Sequence, residues 1–464
     1  MHPRIISIYE SMPVPLQDLA ISVYGFRLRN ARYGKDAEKH RQELEYFYSV
    51  SSAEQEQLQN GMLRRILKTA FDTVPYYQSL RLKSQVDLST ITAKSISTIL
   101  PVLDRSVLRA TNGEFFSTQF EKREYREIGT SGTSGSPLKV RVSLDALKHN
   151  YAHFYRFLGQ AGVSPFDRSV TFAGRTILGR GRPNNVFWRK NYAMNDLLCS
   201  SYHISRGTAK LYLDAMGRWD PQFIDSYPSA IYELALSAQR EGITHTVRPK
   251  CIITSSETLY GHQRAVIEEC FKCKVYDHYG NAEMGAWLTE DSDGIYQANP
   301  TYSIVEVIRD DGMPAQPGEV GELVCTNLFN HAMPLIRYKV GDRVRLASNS
   351  IVDDGGPVRP RIEQIEGRSD DTIVLRDGTN VGRLDPVFKG VSGIIETQII
   401  QKTHEYFLVK YVPDSNFKPS ELEKIFEELQ LRLGKDAKIE FNEVVEIEKT
   451  SSGKLRAVIS ELCS

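Results

Sequence analysis

The sequence predicts an α/β protein in two parts: a large N-terminal domain with parallel sheets and a small, mobile α+β domain at the C-terminus. Strand-like apolar runs at 251–254 and 273–276 flank an amphipathic helical pattern at 263–271. This strand–helix–strand order is typical of a parallel βαβ unit. Near the C-terminus, strand-like runs at 406–411 and 438–445 flank a second helical pattern, which indicates a separate small unit.

The remaining elements follow in chain order. The first hundred residues are mainly helical in pattern, with apolar side chains at helical spacing over 56–74. Between about 125 and 345, short apolar runs alternate with helical patterns. Residues 301–346 consist of strand-like runs separated by Gly, Pro and Asp turns, which favours a small β-rich subdomain. We expect a large domain over 1–369 and a small lid domain over 370–464.

Composition excludes several classes of function. Lys plus Arg and Asp plus Glu both number 58, so the formal net charge is zero. A general nucleic-acid-binding protein would carry a basic surface instead. The N-terminus lacks the hydrophobic run of a signal peptide, and no apolar stretch has the length of a membrane span. These features predict a cytoplasmic protein without a transmembrane segment, and they leave peripheral membrane contact open.

The segment 129–139, Gly-Thr-Ser-Gly-Thr-Ser-Gly-Ser-Pro-Leu-Lys, is rich in glycine and hydroxyl residues. Glycine lets backbone N–H groups approach an anion closely, and Ser and Thr add further donors. Such a loop suits phosphate. It differs from the common phosphate loop, which ends in Gly-Lys followed by Ser or Thr. A flexible Ser/Gly linker is the alternative interpretation.

Four further motifs follow in order. They are Tyr-Gly-Asn-Ala-Glu at 279–283, Met-Pro-Leu-Ile-Arg-Tyr-Lys-Val-Gly-Asp at 333–342, Glu-Gly-Arg-Ser-Asp-Asp at 366–371 and Lys-Thr-Ser-Ser-Gly-Lys-Leu at 449–455. With the glycine-rich loop, this series resembles the adenylate-forming enzymes: acyl-CoA ligases, adenylation domains and luciferases. The sequence of residues 333–338, Met-Pro-Leu-Ile-Arg-Tyr, is most similar to the phenylacetate–CoA ligase branch.

Residues 20–85 and 169–235 resemble a narrower group, the CapK-type proteins of capsular and exopolysaccharide biosynthesis. The similarity rests on Arg-Tyr-Gly at 32–34, Phe-Trp-Arg at 187–189 and Tyr-Pro-Ser at 227–229. It implies a role in building or decorating a surface polysaccharide, but it does not specify the substrate.

The resemblance implies that the protein uses ATP and Mg²⁺. CoA is one possible acceptor in the second step. The glycine-rich loop would hold the β- and γ-phosphates, through Thr130, Ser131, Gly132, Thr133, Ser134 and Gly135. Two positions where the family often has Thr differ here. Ser134 keeps a hydroxyl group, whereas at Ala282 a hydroxyl contact near the α-phosphate is lost or supplied by another residue.

Glu283 would bind Mg²⁺, since a carboxylate oxygen suits a hard cation; a helix-capping role is the alternative. In the same motif, Tyr279 would stack on adenine, with Gly280 and Asn281 beside the nucleotide. Asp342 would accept hydrogen bonds from both ribose hydroxyls, although it could also be a plain turn residue.

Four other positions complete the implied nucleotide site. Ser256 and Glu257 occupy a motif that lines the adenine and acyl pockets, Arg368 would lie near the ribose or phosphate, and Asp370 would be the hinge.

Lys454 is the strongest candidate for a catalytic residue, together with Glu283. An ammonium group near the attacking carboxylate and the α-phosphate would offset charge repulsion in the transition state. The alternative is an ordinary Gly-Lys surface loop.

A less familiar segment, 174–183, places three arginines on a glycine-rich loop. Arg175 and Arg182 could grip a carboxylate, a phosphate or an anionic sugar, or the loop could be merely solvated. Trp188, Asn195 and Tyr202 follow closely and could line the acyl pocket, although aromatic core residues would give the same pattern.

The leading hypothesis is therefore an AMP-forming acid ligase that releases pyrophosphate and transfers an acyl group. The acid would be a small molecule or linked to a glycan, and the acceptor CoA, a carrier-protein thiol or a glycan precursor. An adenylyltransferase that leaves AMP on its target, and a catalytically silent ATP-binding protein, are the alternatives.

Overall fold

The computed structural model describes residues 9 and 11–462, apart from 82–86, 130–137, 174–185, 202, 351–354, 369–372, 377–379, 382–383, 385–386, 388–390, 392, 416, 435 and 449–454. Its helices, named α1 to α11 in chain order, are Val14–Tyr33, Lys35–Ser49, Ser52–Thr73, Pro75–Arg81, Ile96–Ile99, Arg105–Ala110, Leu144–Gln160, Arg206–Trp219, Pro228–Arg240, Gly261–Phe271 and Ser420–Leu433.

The strands β1 to β10 are Tyr125–Gly129, Lys139–Ser143, Ser169–Ala173, Trp188–Asn191, Asp196–Ser200, Phe223–Ser226, Cys251–Ser255, Lys274–Gly280, Trp287–Glu290 and Tyr296–Ala298. The strands β11 to β20 are Ser303–Ile308, Val320–Asn327, Tyr338–Leu346, Arg361–Arg368, Ile373–Val374, Asn380–Val381, Ile394–Gln401, Tyr406–Pro413, Lys438–Glu443 and Val458–Ser460.

Within the described residues, twelve strands form one mixed sheet in the order β11-β12-β13-β14-β10-β9-β8-β7-β6-β3-β5-β4. The run β8-β7-β6-β3-β5 is parallel, and the βαβ unit formed by β7, α10 and β8 lies within it as predicted. Helices α8, α9 and α10 supply buried side chains that pack with these strands in one apolar cluster. The predicted α/β class is confirmed.

The predicted β-rich region belongs to the same sheet as the parallel strands. Strands β11, β12 and β13 are joined to β8 by hydrogen bonds through β14, β10 and β9. The alternating burial along β13 shows that one face packs inward and the other faces out. Strand β13 thereby comes within reach of the end of β8, which matters for the site below.

The C-terminal part has its own core. Strands β19, β18, β17 and β20 form a sheet, and α11 packs on it through Ile425, Leu429 and Leu433. This explains the helical apolar stripe in the sequence. The large-domain sheet ends with β14 at Arg368, and residues 369–372 lie outside the described part, so the exact domain boundary remains a prediction.

Helix α1 covers the edge strand β4 with polar side chains. The Lys190 N–H donates to Asp18 Oδ1 at 2.9 Å, and the Tyr192 N–H donates to Ser22 Oγ at 3.0 Å. Gly25 is needed at the crossing because a Cβ there would collide with the Asn191 side chain.

Candidate active site

The candidate site lies where β7 and β8 end. Parallel pairing places Ser255 opposite His278, so Ser256 and Glu257 emerge beside Tyr279 and Gly280. Ser256 has φ +72°, a left-handed conformation that a non-glycine residue adopts only when its surroundings enforce it. Ligand sites in open α/β sheets commonly form at this carboxyl edge.

Tyr279 and Asp342 are brought together from β8 and β13. The Tyr279 hydroxyl donates a hydrogen bond to Asp342 Oδ2. Asp342 is buried, and burial together with this carboxylate raises the pKa of Tyr279 well above its ordinary value. The contact orients Asp342 as an acceptor, in keeping with its predicted ribose contact, while the predicted stacking of Tyr279 on adenine stays a prediction.

Glu283 is buried in the turn that follows β8. Tyr338 Oη donates to Glu283 Oε1 at 3.4 Å. In the same turn, Asn281 Oδ1 accepts the Gly285 N–H at 2.7 Å, while the buried Asn281 Nδ2 has no hydrogen-bond partner in the described part of the chain. The turn therefore presents a buried carboxylate and an unused amide donor.

Arg105 is a site residue that the sequence analysis missed. Its Nη2 lies 3.8 Å from Glu283 Oε1, and among the described residues neither of the buried atoms Nε and Nη2 has a hydrogen-bond partner. A Cβ at Gly341 would lie 3.5 Å from Arg105 Nη1, so the guanidinium also borders β13 directly before Asp342. Unused buried donors beside a nucleotide-type site suit an anion.

A long-range backbone contact places Arg105 here. The Leu103 N–H donates to the Arg337 carbonyl at 2.8 Å, and the Lys339 N–H donates to the Leu103 carbonyl at 3.0 Å. Arg337 also forms a two-pronged pair with Glu306 at 2.9 and 3.0 Å. The start of α6 is therefore fixed against β13.

A buried carboxyl lies on β8 just before the site. Asp277 accepts hydrogen bonds from Thr254 Oγ1 and Tyr296 Oη, both at 2.5 Å. Burial raises its pKa to about 7, with the neighbouring Glu290 acting in the same direction. Arg264 pairs with Glu290 beside it, so this strand is held by a polar cluster beneath the site.

Glu257 connects the large domain to the small one. Its Oε2 accepts the Ser229 N–H at 3.0 Å, at the start of α9, and its Oε1 accepts the Leu455 N–H at 3.1 Å. A cleft of about 110 Å³ opens beside this contact between the two domains. Its walls include Tyr232, Glu233, Tyr260, His262, Ile394 and Leu455.

Several predicted residues lie outside the described part: Thr130, Ser131, Gly132, Thr133, Ser134, Gly135, Arg175, Arg182, Tyr202, Asp370, Lys454 and the side chain of Arg368. The stems of the glycine-rich loop are described, and they pair as a hairpin with Gly129 opposite Lys139.

Two predicted acyl-pocket residues are not brought to the site. Asn195 lies in a turn at the opposite edge of the sheet, where the adjacent Asp196 pairs with Ser169 at the start of β3. Its Nδ2 donates to the Phe166 carbonyl there. Trp188 is half-buried on β4, the strand at the edge of the sheet. It packs edge-on against Tyr212 and is explained as a core residue.

The side chains of the candidate site match the groups that ATP and Mg²⁺ would need. Asp342, Asn281 and Arg105 offer an acceptor and unused donors, which fit a nucleotide. Mg²⁺ bound with ATP takes most ligands from phosphate and water, so the Glu283 carboxylate fits it. Among the described residues, no cluster of three or more His, Cys, Asp or Glu side chains forms a metal site by itself. No helix in that part is long and apolar enough to cross a membrane.

Solved structures share this architecture. The 2-hydroxyisobutyryl-CoA ligase in the postadenylation state, in complex with R3-HIB-AMP, has a TM-score of 0.67 at 19% identity, covering 89% of this chain and 91% of that one. The same enzyme with 2-HIB-AMP and CoA in the thioesterification state gives 0.54 at 20% identity, covering 89% and 90%. The chain has the fold of the adenylate-forming CoA ligases.

Sequence comparison defines the group further. Protein CapK of Staphylococcus aureus is 25% identical, covering 98% of this chain and 99% of that protein. The phenylacetate-coenzyme A ligase of Pseudomonas putida is 26% identical, covering 72% and 74%. Residues 373–461 match the CapK C-terminal domain family. By homology the chain is an AMP-forming, acyl-CoA ligase-like enzyme, similar to CapK and to the phenylacetate–CoA ligases, which agrees with the resemblance seen in its motifs.

Proposed function

We propose that this chain activates a carboxylic acid with ATP and transfers the acyl group to CoA, a carrier-protein thiol or a glycan precursor. The carboxylate oxygen attacks the α-phosphorus, the bond from that phosphorus to the bridging oxygen breaks, and pyrophosphate leaves. The acceptor nucleophile then attacks the acyl carbon and AMP leaves. The observation that carries the proposal is the convergence of Asp342, Tyr279, Glu283 and Arg105 at one sheet edge.

Each residue has a part that its surroundings favour. Asp342, oriented by Tyr279, accepts hydrogen bonds from the ribose hydroxyls. Arg105 offers its unused donors to an anion, either the acid or a phosphate. Glu283 holds Mg²⁺, whose charge helps to neutralise the phosphates when it is bound. The part of Lys454 follows from the family resemblance alone: its ammonium group stabilises the charge that develops between the carboxylate and the α-phosphorus.

The biological setting is a further step of the proposal. The similarity to CapK over nearly the full chain supports a role in surface polysaccharide biosynthesis. A cytoplasmic location agrees with the use of ATP as substrate.

The test measures pyrophosphate release from ATP and Mg²⁺ with aryl, fatty, amino and uronic acids, using hydroxylamine as an artificial acceptor. We expect one acid class to give release together with free AMP and a hydroxamate. A stable AMP conjugate of the target would favour the adenylyltransferase instead. ATP binding without turnover of any acid, including glycan-linked acids, would contradict the ligase proposal.

A further inference from the structure

A buried carboxylate joins the small domain to the large one. The Asp414 side chain is 1% exposed, and its Oδ2 lies 2.7 Å from Arg240 Nη1 and 3.4 Å from Arg206 Nη2. Arg206 Nη1 also donates to Ser415 Oγ at 3.2 Å. Burying a carboxylate is unfavourable unless cations compensate its charge, and here both cations belong to the other domain.

The two sides of this contact belong to separate cores. Arg206 is the first residue of α8 and Arg240 the last residue of α9, and both helices pack into the large-domain cluster. Asp414 directly follows β18 of the small domain, where its N–H donates to the Gly393 carbonyl at 2.7 Å. The arginines are therefore fixed on the large domain, while the carboxylate moves with the small domain.

Helix α9 links this contact to the candidate chemistry. At its start, the Ser229 N–H is bound by Glu257, which also holds the Leu455 N–H. At its end, Arg240 holds Asp414. Leu455 directly follows Lys454 in the sequence. A single orientation of the small domain thus satisfies both contacts and carries the chain next to Lys454 to the large domain.

We propose that Arg206, Arg240 and Asp414 form an interdomain clasp that positions the small domain for adenylation. The inference rests on the proposed function, because it assigns the clasp to the first of two half-reactions. These three are positioning residues: they hold in place the segment that begins at Leu455, and they do not themselves contact substrate. A change of domain orientation for acyl transfer would have to open the clasp.

The test uses Asp414→Asn and Arg240→Gln in the full-length chain. With the acid found in the panel, we expect adenylation to fall on the order of tenfold in each variant, with ATP affinity unchanged. Transfer from preformed acyl-adenylate to hydroxylamine should keep its wild-type rate. The double variant should lose no more than the stronger single variant, since both changes open one contact.

Asp310→Asn is the matched control, because Asp310 is an exposed carboxylate whose ion pair with Arg343 lies within the large domain. It should leave both half-reactions unchanged. Equal losses in adenylation and transfer, accompanied by a lower unfolding temperature, would show a general structural role and overturn the clasp. Wild-type rates in both clasp variants would also overturn it.

Hydrogen exchange separates this inference from the proposed function. The amides of 455–460 should exchange faster in both clasp variants than in the wild type or in Asp310→Asn, without any substrate present. If no acid supports pyrophosphate release, the ligase proposal fails, but this measurement still decides whether the clasp holds the small domain. Unchanged exchange would overturn it.

Discussion

The nucleotide side of the large domain and the contact between the two domains are built in different ways. Asp342, Tyr279 and Glu283 lie on or directly after strands of one sheet and are held by buried neighbours. The described interdomain contacts around Glu257 and Asp414 are polar and connect segments with separate cores. The first arrangement is rigid without the small domain, whereas the second depends on how the small domain is oriented.

In the proposed function, this difference assigns nucleotide binding to the large domain and makes catalysis depend on the placement of the small domain. Groups fixed on strands can recognise the nucleotide in any domain orientation, but a residue on the small domain acts only when that domain is in place. The following substitutions challenge this division, beginning with the largest expected effect.

Lys454→Ala should lower pyrophosphate release by on the order of 1,000-fold, because no other charge would replace the ammonium in the transition state. ATP affinity, measured by calorimetric titration, should be retained. Lys438→Ala, an exposed lysine on β19 of the same domain, is the control. Unchanged release in Lys454→Ala would remove this residue from the mechanism.

Asp342→Asn should raise the KM for ATP by on the order of tenfold, because an amide replaces a charged acceptor for the ribose hydroxyls. Tyr279→Phe should give a smaller increase, since it removes only the hydroxyl that orients Asp342. Steady-state kinetics at saturating acid measures both. A decrease in kcat with an unchanged KM for ATP would mean that Asp342 acts on the reaction. It would contradict the proposed separation of nucleotide binding from catalysis.

Arg105→Gln should reduce kcat/KM for adenylation by several-fold, since the guanidinium donors beside Glu283 have no other described partner. Comparing the KM of ATP with the KM of the acid shows which anion it contacts. Arg64→Gln, exposed on α3, is the control. Equal kinetics in the two variants would return Arg105 to a structural role.

Asp277→Asn should affect activity least and the pH dependence of stability most. The folded-state pKa of about 7 lies above the ordinary carboxyl value, so folding favours the neutral form. The stabilisation is present below about pH 4 and is lost as the pH rises to about 7, at up to about 1.4 kcal/mol per pH unit. Thermal unfolding between pH 4 and 8 should show a flatter profile for Asp277→Asn. Parallel profiles would mean that Asp277 stays ionised in the fold.

The motifs predicted the strand ends well because residues that follow neighbouring parallel strands must emerge at one edge. That rule alone predicts that Glu257 and Tyr279 lie close together, even if the packing of the side chains is not known. The role of Asp342 was predicted only from the family resemblance, because its strand is joined to β8 through the antiparallel part of the sheet. The position of Asn195 could not be predicted, because proximity in sequence to aromatic residues does not reveal which edge of the sheet a turn occupies.

Arg105 and the clasp were beyond sequence reasoning for a related reason. Arg105 depends on backbone pairing of Leu103 with Arg337 and Lys339, more than two hundred positions later. Asp414, Arg206 and Arg240 carry no motif, and ion pairs between domains leave no periodic pattern in a sequence.

The polar contacts of α1 with β4 have a consequence for self-association. An uncovered edge strand offers free N–H groups to any other extended chain and can start aggregation. Asp18 accepts the N–H group of Lys190 on β4 and Ser22 accepts that of Tyr192 directly after it, so these two outward N–H groups are already bound. The N-terminal helix therefore protects the sheet against pairing with strands of other molecules.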